Sequence, residues 1–264
     1  MNPIEQLEVS GIHREIGRNI GHHFAGAIHR FFDNYIFLQE QLLPFLKNST
    51  GQRIFQSYLK LHQTHFPQYI AELEGMADGS GRAFEDIFAV NLRGEFAGLI
   101  AAKQQTTNPT DAGLQGCTDC LVLTPETALI GHNEDGSPSG YGNMFVVHAS
   151  IDKKPTFSAL CYPGFLPGNA IGFNEFGILH SINNVAPRPV NVGLARHFIA
   201  RSLLEARSLK DAVRRVAIPD RAAGFNYNIG SHTERRIISV EVSPEHHHVH
   251  EVQGYYTHTN HYFE

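Results

Sequence analysis

The pair Gly116-Cys117 carries the most distinctive chemistry in the chain. Glycine offers an unhindered carbonyl and a backbone that reaches conformations closed to other residues. A thiol beside that carbonyl can attack it. The acyl group then passes from nitrogen to sulfur, water releases it, and Cys117 becomes a new N-terminus. The freed α-amine, with a reference pKa of about 8, can act as the base beside its own thiol, so no separate histidine is needed. Other chemistries compete for the same residues. Cys117-Thr118-Asp119-Cys120 is also a C-x-x-C spacing, which reads as a redox or zinc motif. Redox motifs place the first cysteine at a helix start, whereas Leu121-Val122-Leu123 here reads as strand. A zinc site would need two further ligands, for which His132 and Cys161 are candidates. In a strand, residues 117 and 120 face opposite ways, so Cys120 is expected in the core if Cys117 faces a site. His246, His247, His248 and His250 invite a metal reading, but a half-exposed strand with Val249 partly buried fits the pattern better. None of the 17 histidines sits in a papain-like signature.

Whatever positions Cys117 changes character around it. Residues 1–116 read as helical. Ile12 to Leu46 places apolar residues at helical spacing, interrupted only by permissive glycines, and Ser57 to Glu74 is a second amphipathic stretch. The turn Asp78 to Gly81 precedes a short helix over Ala83 to Leu92. Gln104 to Gly116 holds turn formers and few large apolar side chains, and reads as an exposed loop. Residues 117–264 read as β-rich, with strands at 118–123, 128–133, 145–148, 157–162, 170–174, 177–182, 226–230, 236–242 and 247–252. Pro125-Glu126-Thr127 joins the first two as a hairpin, and one helical interlude spans Gly193 to Val216. Strands in two groups separated by helices predict a layered α+β protein.

Composition narrows the function classes. Across 264 residues, 42% hydrophobic and 18% charged content describes an ordinary globular chain with material for a sizeable core. A net charge of -5 argues against a nucleic-acid partner, because phosphate binding wants a basic surface. Three cysteines make no disulfide framework, which points to a reducing compartment. The N-terminus lacks a secretory pattern and no apolar run is long enough to span a bilayer, so a cytoplasmic protein without membrane partners is expected.

Several motifs occur together in one order: ELEGMADGSG, Asn91 to Phe96 (NLRGEF), GCTDCLVL, GHNEDG, GFNEFGILHSINN, FNYNIG, RIISVEVSP and the terminal THTNHYF. Through them the chain resembles the family of cysteine N-terminal nucleophile hydrolases that contains acyl-CoA:6-aminopenicillanate acyltransferase and insect β-alanyl-dopamine hydrolase. The resemblance implies a four-layer αββα sandwich, self-cleavage before the cysteine, and hydrolysis or transfer of acyl groups at amide bonds. It also implies that the family domain continues past the His-Thr-Asn-His element, so the sandwich is expected to be incomplete at the C-terminus. Carried over by position, the nucleophile is Cys117, Asp135 of the Asn-x-Asp element orients its amine, and Asn260 donates to the oxyanion. Gly116-Cys117 is the implied cleavage junction.

Supporting residues follow the same motifs. Thr118 and Asn133 flank the junction and Asp135, and Asn174 and Asn183 are pocket candidates. Arg93 and Glu95 match an Asn-x-Arg-x-Glu element and read as a helix-surface ion pair, with Arg93 also a support candidate. The loops at Gly140 to Asn143 and Phe165 to Asn169, with Tyr141, Tyr162 and Phe165, suggest a pocket for an apolar or aromatic acyl group. The expected activity is that of a self-processing amidohydrolase or acyltransferase acting on a small amide or acyl thioester, with no cofactor and no metal. Its other partner would be its own N-terminal piece, held by a shared core; homo-oligomers are left open. The rival reading is an inactive or unprocessed homologue serving as a binding or structural protein.

Overall fold

The computed structural model describes residues 4–104, 116–185 and 191–263. Eleven strands and nine α-helices are seen among them. The first part runs β1 (Glu5–Gly11), α1 (His13–His23), α2 (Ala25–Asn34), a π-helical turn (Leu38–Leu42), α3 (Leu43–Lys47), α4 (Ser49–His65), α5 (Pro67–Ser80), α6 (Phe84–Val90) and α7 (Arg93–Gln104). The second begins with the hairpin β2 (Cys117–Leu123) and β3 (Ala128–Glu134). It continues through β4 (Phe145–Ile151), β5 (Phe157–Cys161), β6 (Ile171–Asn174), β7 (Ile178–Asn184), α8 (Arg196–Leu203), α9 (Leu209–Val216), β8 (Phe225–Ser231), β9 (Arg236–Val242), β10 (His247–Glu251) and β11 (Gly254–His258).

The strands form an eight-stranded sheet in the order β1-β4-β5-β6-β7-β8-β9-β10 and a three-stranded sheet in the order β11-β2-β3. Pairing is antiparallel except that β1 lies parallel to β4, Glu5 opposite Phe145 through Gly11 opposite Ile151. The helices share one continuous apolar core with a face of the large sheet, including Phe24, Phe31, Phe88, Phe145, Phe198 and Tyr227. The small sheet lies against the other face, where Leu121, Ile237 and Val252 form a second apolar cluster. The α+β sandwich is therefore built of helices, large sheet and small sheet.

The alternation of strands explains where polarity enters. On β8, Phe225, Tyr227 and Ile229 join the helical core, which leaves Asn226 and Asn228 facing the other way. Those amides, with Asn183 of β7 and Ser239 of β9, hydrogen-bond one another between the sheets. The inter-sheet layer thus combines an apolar cluster with a hydrogen-bonded polar network.

Several element boundaries differ from the sequence expectation. The run from Ile12 to Leu46 divides into α1, α2, a π-turn and α3. Backbone breaks fall at Phe24 and Tyr35, whose side chains are themselves buried, so hydrophobic spacing does not register them. The stretch Ser57 to Glu74 spans two helices parted at Phe66-Pro67, because proline starts a helix but cannot donate within one. Gly193 to Val216 holds two short helices, the second capped by the Ser208 side chain accepting from the Asp211 N–H. β1 and β11 were not expected. The loop read from Gln104 to Gly116 lies, apart from its ends, outside the described residues. No helix among the described residues is long and apolar enough to cross a membrane.

Candidate active site

The hairpin β2-β3 sets three cross-strand pairs on the face turned toward the large sheet. Cys117 is opposite Glu134, Asp119 opposite His132, and Leu121 opposite Ile130. Alternation turns Thr118 and Cys120 outward, and both are exposed. This corrects one expectation, since Cys120 is not a core residue; Thr118, a supporting candidate, sits on the same exposed face.

The pairs form a chain of short contacts. The Cys117 thiol points at Glu134 Oε2, 3.7 Å from Sγ. The same oxygen accepts from His132 Nε2 at 2.8 Å, and His132 Nδ1 donates to Asp119 Oδ2 at 3.0 Å. Tyr162 donates its hydroxyl to Glu134 Oε1 at 2.7 Å. Asp119, fully buried, also accepts from Asn183 Nδ2 at 2.6 Å and from the Ser181 hydroxyl. Burial pulls the His132 pKa down, but the two flanking carboxylates outweigh it and raise it to about 9. Burial, with Glu134 beside it, pushes the Cys117 thiol well above its usual value.

The backbone at the junction is held from three sides. The Gly116 carbonyl accepts from the Asp135 N–H at 3.0 Å. The Cys117 N–H donates to Asn260 Oδ1 at 2.8 Å, and Asn260 Nδ2 donates to the Asn184 carbonyl at 2.7 Å. Asn260 lies two residues past β11, in a segment pinned to β9 by His258 donating to Glu241 at 2.8 Å and by the Tyr262 hydroxyl donating to the Val242 carbonyl at 2.9 Å. A Cβ at position 116 would come within 2.6 Å of Asn260 Oδ1, so glycine lets this amide close on the junction. The Asp135 side chain is exposed and accepts from Asn133 Nδ2 at 2.8 Å.

Beside the thiol opens a narrow cavity of about 40 Å³. Its walls include Phe31, Tyr35, Tyr162, Phe165 and Phe225, with Arg93 and Asn169 as polar members. The Arg93 guanidinium stacks 4.5 Å above the Phe165 ring and approaches His197 Nε2 at 3.2 Å. Burial, with Arg93 and Arg196 nearby, holds His197 well below its usual pKa and neutral.

The expected surface ion pair is absent: Glu95 is fully buried and accepts from the Arg196 N–H at 3.0 Å, while Arg93 turns into the cavity. Tyr162 and Phe165 line the cavity as expected. Tyr141 is 86% exposed and the Gly140 to Asn143 loop takes no part. Asn174 serves a turn, donating to the Leu204 and Ala206 carbonyls and accepting from the Phe176 and Ile178 N–H groups. Asn183 belongs to the polar inter-sheet network rather than to the cavity. Cys161 lies buried in the main core and is not among the side chains gathered at Cys117.

Glu134, Asp119 and, except as one zinc option, His132 do not stand out in the sequence by their local motifs. A signal was available. With Pro125-Glu126-Thr127 as the turn, Cys117-x-Asp119 and His132-x-Glu134 fall opposite each other to within a residue, and each pair shares a face.

The sequence model of the acyl-coenzyme A:6-aminopenicillanic acid acyl-transferase family matches residues 122–264. The chain belongs to this family. It is 30% identical over 256 residues to the beta-alanyl-dopamine/carcinine hydrolase of Drosophila melanogaster, covering 90% of this chain and 64% of that protein. It is 27% identical over 204 residues to the 40 kDa form of acyl-coenzyme A:6-aminopenicillanic-acid-acyltransferase of Emericella nidulans, covering 75% of this chain and 53% of that protein. The chain thus spans somewhat over half the length of these two family members. Among solved structures it is similar to a Caenorhabditis elegans N-acylethanolamine-hydrolyzing acid amidase ortholog, with a TM-score of 0.44, 12% identity, and 55% of this chain and 70% of that one covered.

Proposed function

We propose that this protein is a self-processing cysteine amidohydrolase or acyltransferase, with Cys117 as nucleophile and Gly116-Cys117 as the bond it cuts. The reading rests above all on one observation: the Gly116 carbonyl, the Cys117 thiol and amide, and the Asn260 side chain are brought together with a hydrogen-bond donor already on the carbonyl oxygen. Family membership and the hydrolase and acyltransferase relatives support it.

In the cut, Cys117 Sγ adds to the Gly116 carbonyl carbon while the thiol proton passes to Glu134, the acceptor facing it. The Asp135 N–H meets the developing oxyanion, a contact of the kind that supplies several kcal/mol. The carbon–nitrogen bond breaks as the proton moves on to the leaving nitrogen. Water then hydrolyses the thioester, leaving a carboxylate on Gly116 and a free amine and thiol on Cys117. In turnover that thiol attacks the carbonyl of a small N-acyl amide or acyl thioester, forming an acyl-enzyme. Water or an acceptor amine releases the acyl group. The aromatic walls of the cavity favour a slender apolar or aromatic acyl group.

In the uncut chain Asn260 accepts from the scissile N–H and donates one of its two amide hydrogens to the Asn184 carbonyl, which aligns the junction and leaves the second hydrogen for the oxyanion in turnover. Asp135 contributes its backbone N–H to the cut, and its side chain is the group proposed to orient the freed amine. The test is the intact mass of freshly purified protein beside Cys117→Ala. Two pieces meeting at Gly116-Cys117 in the parent and one chain in the variant are expected. A single full-length mass in both would overturn self-processing and favour an inactive homologue.

A further inference from the structure

We infer that Cys117, His132 and Glu134 form a binding site for a borderline-soft divalent cation, zinc by its ligand set, which takes the Cys117 thiolate as a ligand and so withdraws it from nucleophilic use. The second half rests on the proposed role of Cys117; the first does not. One ligand atom from each residue lies within 4.8 Å of the others. A tetrahedral zinc, with bonds of about 2.3 Å to sulfur and about 2.0 Å to nitrogen and oxygen, sets its ligand atoms roughly 3.3–3.5 Å apart. The Sγ–Oε2 separation of 3.7 Å and the Nε2–Oε2 separation of 2.8 Å bracket that range, and Sγ and Nε2, within 4.8 Å of each other, would draw together as the ion binds.

The surroundings have the form of a metal site's outer shell. His132 presents Nε2 to the cluster because Nδ1 is fixed to Asp119, the carboxylate–histidine arrangement that orients imidazole ligands. Asp119 is itself locked by Asn183 and Ser181. Glu134 offers Oε2 while Tyr162 holds Oε1. The cavity beside Cys117 leaves a fourth position for water. The pair suggested by C-x-x-C cannot serve, because Cys120 points away on the exposed face of β2.

Cobalt(II) is a spectroscopic substitute for zinc. Full-length protein, stripped with chelator and kept reduced, is titrated with cobalt(II). The expected result is a cobalt–thiolate charge-transfer band that saturates at one equivalent and is abolished by zinc. It should survive Cys120→Ser and vanish in Cys117→Ser. His132→Asn should weaken cobalt binding by about a hundredfold or more; if that variant does not fold, Glu134→Gln carries the same expectation. Absence of a saturable band, or a band that persists in Cys117→Ser, overturns the site. The band requires no cleavage, and the intact-mass test requires no metal, so the two proposals fail separately.

Discussion

Both ends of the Asn260 amide are committed, its oxygen to the Cys117 N–H and its nitrogen to the Asn184 carbonyl. Replacing it by alanine removes the acceptor that fixes the Cys117 nitrogen, the leaving nitrogen of the proposed cut, and takes away the donor to the part-buried Asn184 carbonyl. Each such loss costs about 1–3 kcal/mol. Self-cleavage in Asn260→Ala is therefore expected to slow by about tenfold to a hundredfold, read from intact mass against time after synthesis. A rate equal to the parent's would remove Asn260 from the junction's machinery. Cys117 and Gly116 stand out in the sequence as candidates because their chemistry is local: a thiol next to an unhindered carbonyl. Glu134, Asp119 and His132 are not local. They matter only once hairpin register puts them opposite one another, and a side chain's neighbours across a hairpin leave no trace in its own flanking residues. Asn174 shows the converse, since a motif asparagine beside a glycine-containing turn serves backbone groups just as well as a substrate.

Helices α1 and α5 meet backbone to backbone. Gly17 and Gly21 on one and Gly75 and Gly79 on the other are each spaced four apart, which lines them along a single face. A Cβ on Gly17 would lie 1.8 Å from the Glu72 carbonyl oxygen, and one on Gly75 would lie 2.0 Å from that of Arg14. These glycines are what permits the approach, not tolerated weaknesses in a helix. Gly75→Ala should therefore lower stability by about 1–3 kcal/mol in urea unfolding, despite alanine's better helix propensity. Gly26→Ala is the control. Its Cβ would meet only the end of the Arg30 side chain at 3.2 Å, so it should be neutral or stabilising by up to about 1 kcal/mol. The helical character of the first part was readable because its apolar faces repeat at the helical period. Its subdivision was not, because Phe24 and Tyr35 keep that period through the breaks. β1 escaped notice for another reason: the partner that makes it a strand lies about 140 residues away, in β4.

Among the described residues, burial holds His62, His180 and His197 in the neutral form. His62 is fixed by donating from Nδ1 to the Tyr58 carbonyl and accepting at Nε2 from the Ala195 N–H, and burial lowers its pKa to about 4. Burial lowers His180 to about 4 as well, and His197 well below its usual value. Unfolded, all three would titrate at about 6.5. The stability from keeping them neutral is present above that pH and is lost as pH falls from about 6.5 toward 4, where the unfolded chain holds more protons. Each histidine contributes up to about 1.4 kcal/mol per pH unit, so urea midpoints measured at pH 7, 6 and 5 should fall progressively more steeply. A flat profile would contradict neutral burial.

The parallel strand β1 sits in the large sheet although it belongs to the part of the chain before Gly116. Glu72 on α5 pairs with Arg201 on α8, both fully buried, and Phe24 stacks on Phe145. If the bond at Gly116 is cut, nothing in this arrangement changes, but its thermodynamic order does. Unfolding of the uncut chain is a one-molecule event, whereas the cut protein would dissociate into two pieces that must find each other again. Its melting temperature should then rise with protein concentration, while that of Cys117→Ala should not. Cleavage would exchange a tether of fixed effective concentration for ordinary mass action, so the persistence of the folded state would depend on how much of the protein is present.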